Sequence, residues 1–225
     1  MKDKRNAGMG NERNKQWQVG ILLFDHVDVL DYSGPYEVFS LTVWEAAQVP
    51  LLLMNRIAAE DKPFCVKTVS QDGQLVTAHN GLKIQPDYSF HDHPAFDITI
   101  IPGGPLNAVK SGKNNAELLQ WIVSQHRCGS WVASICSGAI MLAEAGLLVN
   151  KQATTNAFAM DYLAEGYPST EVVQNVRFVD NGDIFTSAGV SAGIDLSFHM
   201  VARLLGQEVA RTTSLTIEYP YYEPN

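Results

Sequence analysis

Basic residues are scarce in this chain: 16 Lys and Arg stand against 24 Asp and Glu, a formal net charge of -8. Binding held by phosphate contacts needs a surplus of Lys and Arg on one face, so nucleic acid is not expected as a partner. Cysteine is equally sparse. Cys65, Cys128 and Cys136 make no CxxC pair and no Cys/His metal spacing, which predicts a reducing compartment without disulfides, structural zinc or any other metal. Long apolar runs are missing too. No stretch reaches the length of a membrane span, and the opening MKDKRNAGMGNERNKQ lacks the apolar core of a secretion signal. These absences predict a cytoplasmic protein with no membrane attachment, a disordered tail over residues 1–16 and one domain over residues 17–225.

What is present suffices for one large core, because hydrophobic residues make up 46% of the chain and charged residues only 18%. Apolar runs at 17–24 (WQVGILLF), 96–101 (FDITII) and 130–135 (SWVASI) read as buried strands. Residues 64–70 (FCVKTVS) alternate like a strand, with short strands expected near 75–78 and 82–84. A further hairpin is expected at 177–179 and 184–186, around the turn Asp180-Asn181-Gly182-Asp183. Helices are predicted over 33–47, capped by Ser33, and over 114–126, 137–145, 158–165 and 191–205, with a short coda after Glu208. Residues 50–61 fit either a continued helix or a second one. Strands separated by helices imply crossover connections, hence an α/β three-layer sandwich with a mostly parallel central sheet. Ligands in such sheets sit at the carboxyl ends of the strands, here after Phe24, Ile101 and Ile135.

Cys136 stands at one of those ends, between an apolar strand and the small-residue helix SGAIMLAEA. That is the layout of a nucleophile elbow, and the adjoining helix terminus predicts a depressed thiol pKa. Gly103 and Gly104 follow another strand and, with the N–H of Ser137, offer donors for developing negative charge. The loop Asp25-His26-Val27-Asp28-Val29-Leu30-Asp31 carries three acids. Asp31 is the one assigned to chemistry, as a partly buried proton donor to the sulfur. Asp25 and Asp28 are expected to serve only the turn. His91 and His93 read as a solvated turn rather than a metal pair, and Cys65 and Cys128 as structural.

The stretches FDHVDVLDYSGPYEVFS, FDITIIPGGP, ASICSGAIMLAEAGLL, ATTNAF and SAGVSAGIDLSFHMVARLLG resemble the ThiJ/PfpI family of the class I glutamine amidotransferase-like superfamily. The resemblance implies a flavodoxin-like fold, a nucleophile on Cys136, its partner acid on Asp31, and a homodimer. It also implies that Ser137 joins the catalytic set and that Asn156 and Gly189 join the substrate-binding set with Gly103 and Gly104. Within the family, the LD-x-x-GPYEVF element is similar to isonitrile hydratases and to the sensor halves of AraC-type regulators. A stand-alone enzyme is favoured because the regulators carry a further helix-turn-helix module. Isonitrile hydratases commonly place threonine where Ser137 stands, and peptidase-like members place histidine there. Many relatives read T-T-H where this chain has Thr154-Thr155-Asn156, which removes a Cys-His pair. The implied activity is hydration of a small carbon–nitrogen electrophile, isonitrile to N-substituted formamide, without cofactor. The alternatives are a glyoxalase or deglycase acting on α-oxoaldehydes, or a ligand or redox sensor.

Overall fold

The computed structural model describes residues 15–220. Most of the tail predicted over 1–16 therefore lies outside the described residues, as do Tyr221 and Tyr222. Lys15 and Gln16 are described and are anchored: Lys15 Nζ lies 2.7 Å from Asp97 Oδ1, and Gln16 Nε2 donates to the Ala59 carbonyl at 2.7 Å.

The chain runs β1 (Trp17–Leu22), α1 (Val29–Ser40), α2 (Val49–Leu53), β2 (Phe64–Ser70), β3 (Val76–Thr77), β4 (Lys83–Ile84), β5 (Tyr88–Ser89) and β6 (Ile98–Ile101). It continues with α3 (Leu106–Lys113), α4 (Ala116–Arg127), β7 (Trp131–Ser134), α5 (Ala139–Glu144), β8 (Gln152–Ala153), α6 (Met160–Gly166) and β9 (Glu171–Val172). The last elements are β10 (Phe178–Asp180), β11 (Ile184–Ser187), α7 (Ala192–Leu205) and α8 (Gln207–Thr216). Seven strands form one sheet in the order β10-β11-β7-β6-β1-β2-β5, parallel except for the β10/β11 hairpin. This is the flavodoxin-like three-layer α/β fold.

Strand alternation builds two cores. Val19, Ile21 and Leu23 enter one with Ile98, Ile100 and Ala133 under α1 and α7, while Leu22, Ile101 and Val132 enter the other under α4 and α5. Both faces are covered, which is why the central strands read as continuous apolar runs.

Several boundaries differ from those predicted. Helix α1 begins four residues early, at Val29 rather than Ser33, with Asp28 as its cap. Ser33 Oγ donates to the Val29 carbonyl at 2.7 Å, so it is an interior residue bonding back one turn. Pro35 is then inside the helix and has no N–H for the Asp31 carbonyl. Helix α3 was not anticipated. The expected coda after Glu208 is instead α8, a Thr-rich helix of low intrinsic propensity whose side chains Thr212 and Thr213 are buried, with Thr213 Oγ1 bonded to the Val209 carbonyl at 2.9 Å. Residues 50–61 hold most of α2, a second short helix rather than a continuation of α1, and a single 3-10 turn at Ala59–Asp61. Among the described residues no helix is long and apolar enough to cross a membrane.

His91 and His93 part company. The His91 side chain is largely exposed near Glu117, at 3.4 Å. His93 is not a solvated turn residue: its ring stacks on Phe96, its Nε2 accepts the Trp121 indole N–H at 2.9 Å, and Nδ1 is therefore left to donate to the Pro94 carbonyl at 2.7 Å. Both ring nitrogens are used, so the pair cannot ligate a metal. Among the described residues no three His, Cys, Asp or Glu side chains converge on a metal position.

Candidate active site

The carboxyl ends of β1, β6 and β7 meet at Cys136, as the strand pattern predicted. Ile135 is extended at φ -112°, ψ 136°, and Cys136 turns to φ 56° before a 3-10 turn and α5. A non-glycine residue in the left-handed region is strained, and the strain is held by the Cys136 N–H bonding the Ala188 carbonyl at 3.2 Å and by Thr155 Oγ1 bonding the Cys136 carbonyl at 2.8 Å. The elbow pushes the sulfur toward a cavity of about 330 Å³ while leaving the residue 4% exposed.

Asp31, in the first turn of α1, is fully buried beside it. Its Oδ2 accepts the Gly103 N–H at 2.9 Å, and its Oδ1 has no hydrogen-bond partner. Burial pushes Asp31 up to about 7, against the Gly103 bond, and the Asp28 charge pushes it in the same direction. A buried carboxylate oxygen without a donor is costly, whereas a carboxyl O–H in that position can be satisfied by the sulfur.

The thiol does not ionise alone at mildly acidic pH, as its place at a helix terminus had suggested. With Asp31 charged, burial and that charge push Cys136 up to about 11, outweighing the N–H groups of Val190 and Ser137 and the Asn156 amide. Helix α5 has only six residues and follows a 3-10 turn, so little dipole faces the sulfur. Sulfur and carboxyl instead titrate as a pair that holds two protons in acid and keeps one above about 7. Three donors surround the sulfur and one the carboxylate, so a thiolate formed as its proton passes to Asp31 is well supplied with hydrogen bonds.

The diglycine has a different task from the one predicted. Gly103 N–H is taken by Asp31, and Gly104 N–H by Ser137 Oγ at 3.0 Å. Ser137 Oγ in turn donates to the Gly104 carbonyl at 2.7 Å. The hydroxyl is thus a clamp between elbow and diglycine loop, and its one proton is spent there. Glycine is needed for that closeness, since a Cβ on Gly103 would stand 2.5 Å from Ser137 Oγ. The donors left to face the sulfur are the Ser137 and Val190 N–H groups. Val190, which sequence reasoning missed, holds φ 43°, an outlier for a β-branched residue. Asn156 accepts the Phe158 N–H at 2.9 Å through Oδ1, leaving Nδ2 for the sulfur. Gly189 makes room for that amide: a Cβ there would lie 2.6 Å from Asn156 Nδ2.

The remaining acids are unequal. Asp25 Oδ1 accepts the Thr77 N–H at 2.9 Å and pins the β3/β4 hairpin. Asp28 caps α1 without a side-chain bond and lines the cavity. Because its charge raises Asp31, Asp28→Asn should move the pH midpoint of Cys136 alkylation to more acidic values, read by mass spectrometry after timed exposure to iodoacetamide. An unmoved midpoint would remove Asp28 from the electrostatics of the site.

A cysteine at a strand-to-helix elbow, beside a buried carboxyl at the carboxyl edge of a mostly parallel sheet, defines a class of flavodoxin-like α/β proteins. The chain belongs to the DJ-1/PfpI family, whose sequence profile matches residues 17–203. It is 32% identical over 203 residues to the isonitrile hydratase of Pseudomonas putida, covering 90% of this chain and 78% of that protein. It is 34% identical over 174 residues to the HTH-type transcriptional regulator CdhR of Pseudomonas aeruginosa, covering 76% of this chain and 49% of the regulator, so it spans about half the regulator's length. Among solved structures, a ThiJ/PfpI family protein from Pseudomonas syringae superposes with a TM-score of 0.78 at 26% identity, covering 100% of this chain and 84% of that one.

Proposed function

We propose that this domain is a cysteine-dependent hydratase that converts an isonitrile to an N-substituted formamide. The observation that carries the reading is the buried Asp31 carboxyl hydrogen-bonded to Cys136 at the elbow, an arrangement that can supply a nucleophile and a mobile proton in one place. The terminal isonitrile carbon needs both. Sulfur forms a bond to that carbon, and the proton that moved from sulfur to Asp31 passes on to the same carbon, giving a thioimidate, R–N=CH–S–Cys136. Water then adds across the C=N bond. Collapse of the tetrahedral adduct breaks the C–S bond, returns a proton to the pair and releases R–NH–CHO. None of these steps calls for a metal or organic cofactor. The cavity of about 330 Å³ lies within the size range of small-molecule sites, and Pro105, Leu106, Phe158 and Ala159 give it an apolar side for the substituent R.

A second reading, a ligand sensor, is favoured by the similarity to HTH-type regulators. Incubation with a panel of isonitriles and with methylglyoxal separates the possibilities. Formamide release supports the hydratase; loss of methylglyoxal alone transfers the site to aldehyde chemistry; saturable binding without turnover supports the sensor. A homodimer belongs to the same proposal, and light scattering at micromolar concentration checks it.

A further inference from the structure

Water must lose a proton as it adds to the thioimidate, and the residues around Cys136 leave few groups free to take it. Ser137 has its hydroxyl proton on the Gly104 carbonyl and accepts the Gly104 N–H. Asn156 has no basic atom. Asp31 has given its proton to the carbon by then, but it is fully buried and does not line the cavity from which the water comes. Of the residues lining the cavity, two others can accept a proton, Asp28 and His79. Of the two side-chain types, imidazole is the one whose unperturbed proton exchange lies nearest neutrality.

His79 sits beyond β3, at the tip of the β3/β4 hairpin, which does not join the central sheet. Three bonds tie the hairpin to the loop leading into α1: His79 N–H to the Val27 carbonyl at 3.0 Å, His26 N–H to the Thr77 carbonyl at 2.8 Å, and Thr77 N–H to Asp25 Oδ1 at 2.9 Å. The same loop carries Asp31 into the site, so imidazole and carboxyl are set by one piece of backbone. Among the described residues the His79 ring has no hydrogen bond or ion pair, although it faces the cavity.

We propose that His79 is the proton acceptor for the entering water, a further catalytic residue of the hydration that rests on the hydratase reading. The water oxygen bonds the thioimidate carbon, one water proton goes to the imidazole, and the C=N electron pair moves to nitrogen. The imidazolium then returns the proton to that nitrogen, giving R–NH–CH(OH)–S–Cys136 and neutral His79. Sulfur attack needs only Cys136 and Asp31, so the two halves of the reaction depend on different bases.

The test uses the full chain, an isonitrile and the variants His79→Ala and His79→Gln, read by steady-state formamide release and by intact-protein mass after rapid quenching. For both variants kcat should fall by about two to three orders of magnitude, the scale of a lost general base. A species heavier by one isonitrile should accumulate on Cys136. Added imidazole should restore turnover in His79→Ala and less so in His79→Gln, where a side chain fills the space; a merely structural histidine would give neither adduct nor rescue. Wild-type turnover with kcat near wild type in both variants and no adduct would overturn the assignment of His79 alone. A wild-type protein that forms neither adduct nor formamide with any isonitrile would overturn the hydratase reading and this inference with it.

Discussion

Replacing Cys136 by serine is expected to bring turnover to background, below roughly one part in ten thousand of the wild-type rate, because the step that fails is formation of the covalent bond itself. In the proposed hydratase the thiol works because a buried carboxyl can take its proton while donors surround the sulfur. An alcohol at the same elbow is a far weaker acid, and a carboxylate is too weak a base to draw its proton. The exchange of sulfur for oxygen is nearly isosteric, so the elbow at φ 56° and the clamp through Ser137 should survive. Circular dichroism should overlay wild type, with formamide release absent. Residual turnover above background in Cys136→Ser would require a mechanism without a covalent intermediate.

The second large effect belongs to Asp31→Asn, and it has two signs. Turnover should fall by about two to four orders of magnitude, since the amide keeps the shape and the bond from Gly103 but carries no proton to transfer. Stability should rise. A carboxyl raised from 3.8 to about 7 in the folded state binds its proton more tightly there than in the unfolded chain, so folding loses stability as pH climbs between those values. The asparagine variant escapes that loss. Its unfolding free energy should exceed wild type by on the order of 2 to 4 kcal/mol at pH 8, with the gap closing as pH falls to about 4. Denaturant titrations at the two pH values read this directly. An Asp31→Asn variant that is less stable than wild type at pH 8 would mean the carboxylate is held favourably in the fold.

The reach of the sequence follows from what determines each feature. Strands β1, β2, β6 and β7 were legible because burial on both faces leaves unbroken apolar or alternating runs, and Cys136 was legible because few contexts other than an elbow put a cysteine between such a run and Ser-Gly. The buried acid could be chosen among three by its place in the loop and by family resemblance, yet its neighbours could not be ranked. Asp28 lines the cavity only because α1 begins at Val29, four residues before the cap that Ser33 suggested. Helix α8 was hidden by threonines that disfavour helix in isolation and are buried in the fold. The roles of Gly103, Gly104 and Ser137 depended on which side chain takes which N–H, a question of ångströms that residue types leave open. Val190 and His79 gave no signal, since one is placed by a backbone torsion and the other by a hairpin packed across the loop of a distant strand.

The claim on which the rest stands is that Cys136 and Asp31 share one proton, and the pH dependence of Cys136 alkylation tests it without knowledge of the substrate. Iodoacetamide labelling of the Cys136 peptide, followed by mass spectrometry in wild type and in Asp31→Asn, should give a wild-type midpoint below the ordinary thiol value, because Asp31 can take the sulfur's proton. In Asp31→Asn the midpoint should move above the ordinary thiol value of about 8.5, because the proton has nowhere to go and burial still opposes the charge. The same midpoint in both proteins would show a sulfur that titrates by itself, and would contradict the account.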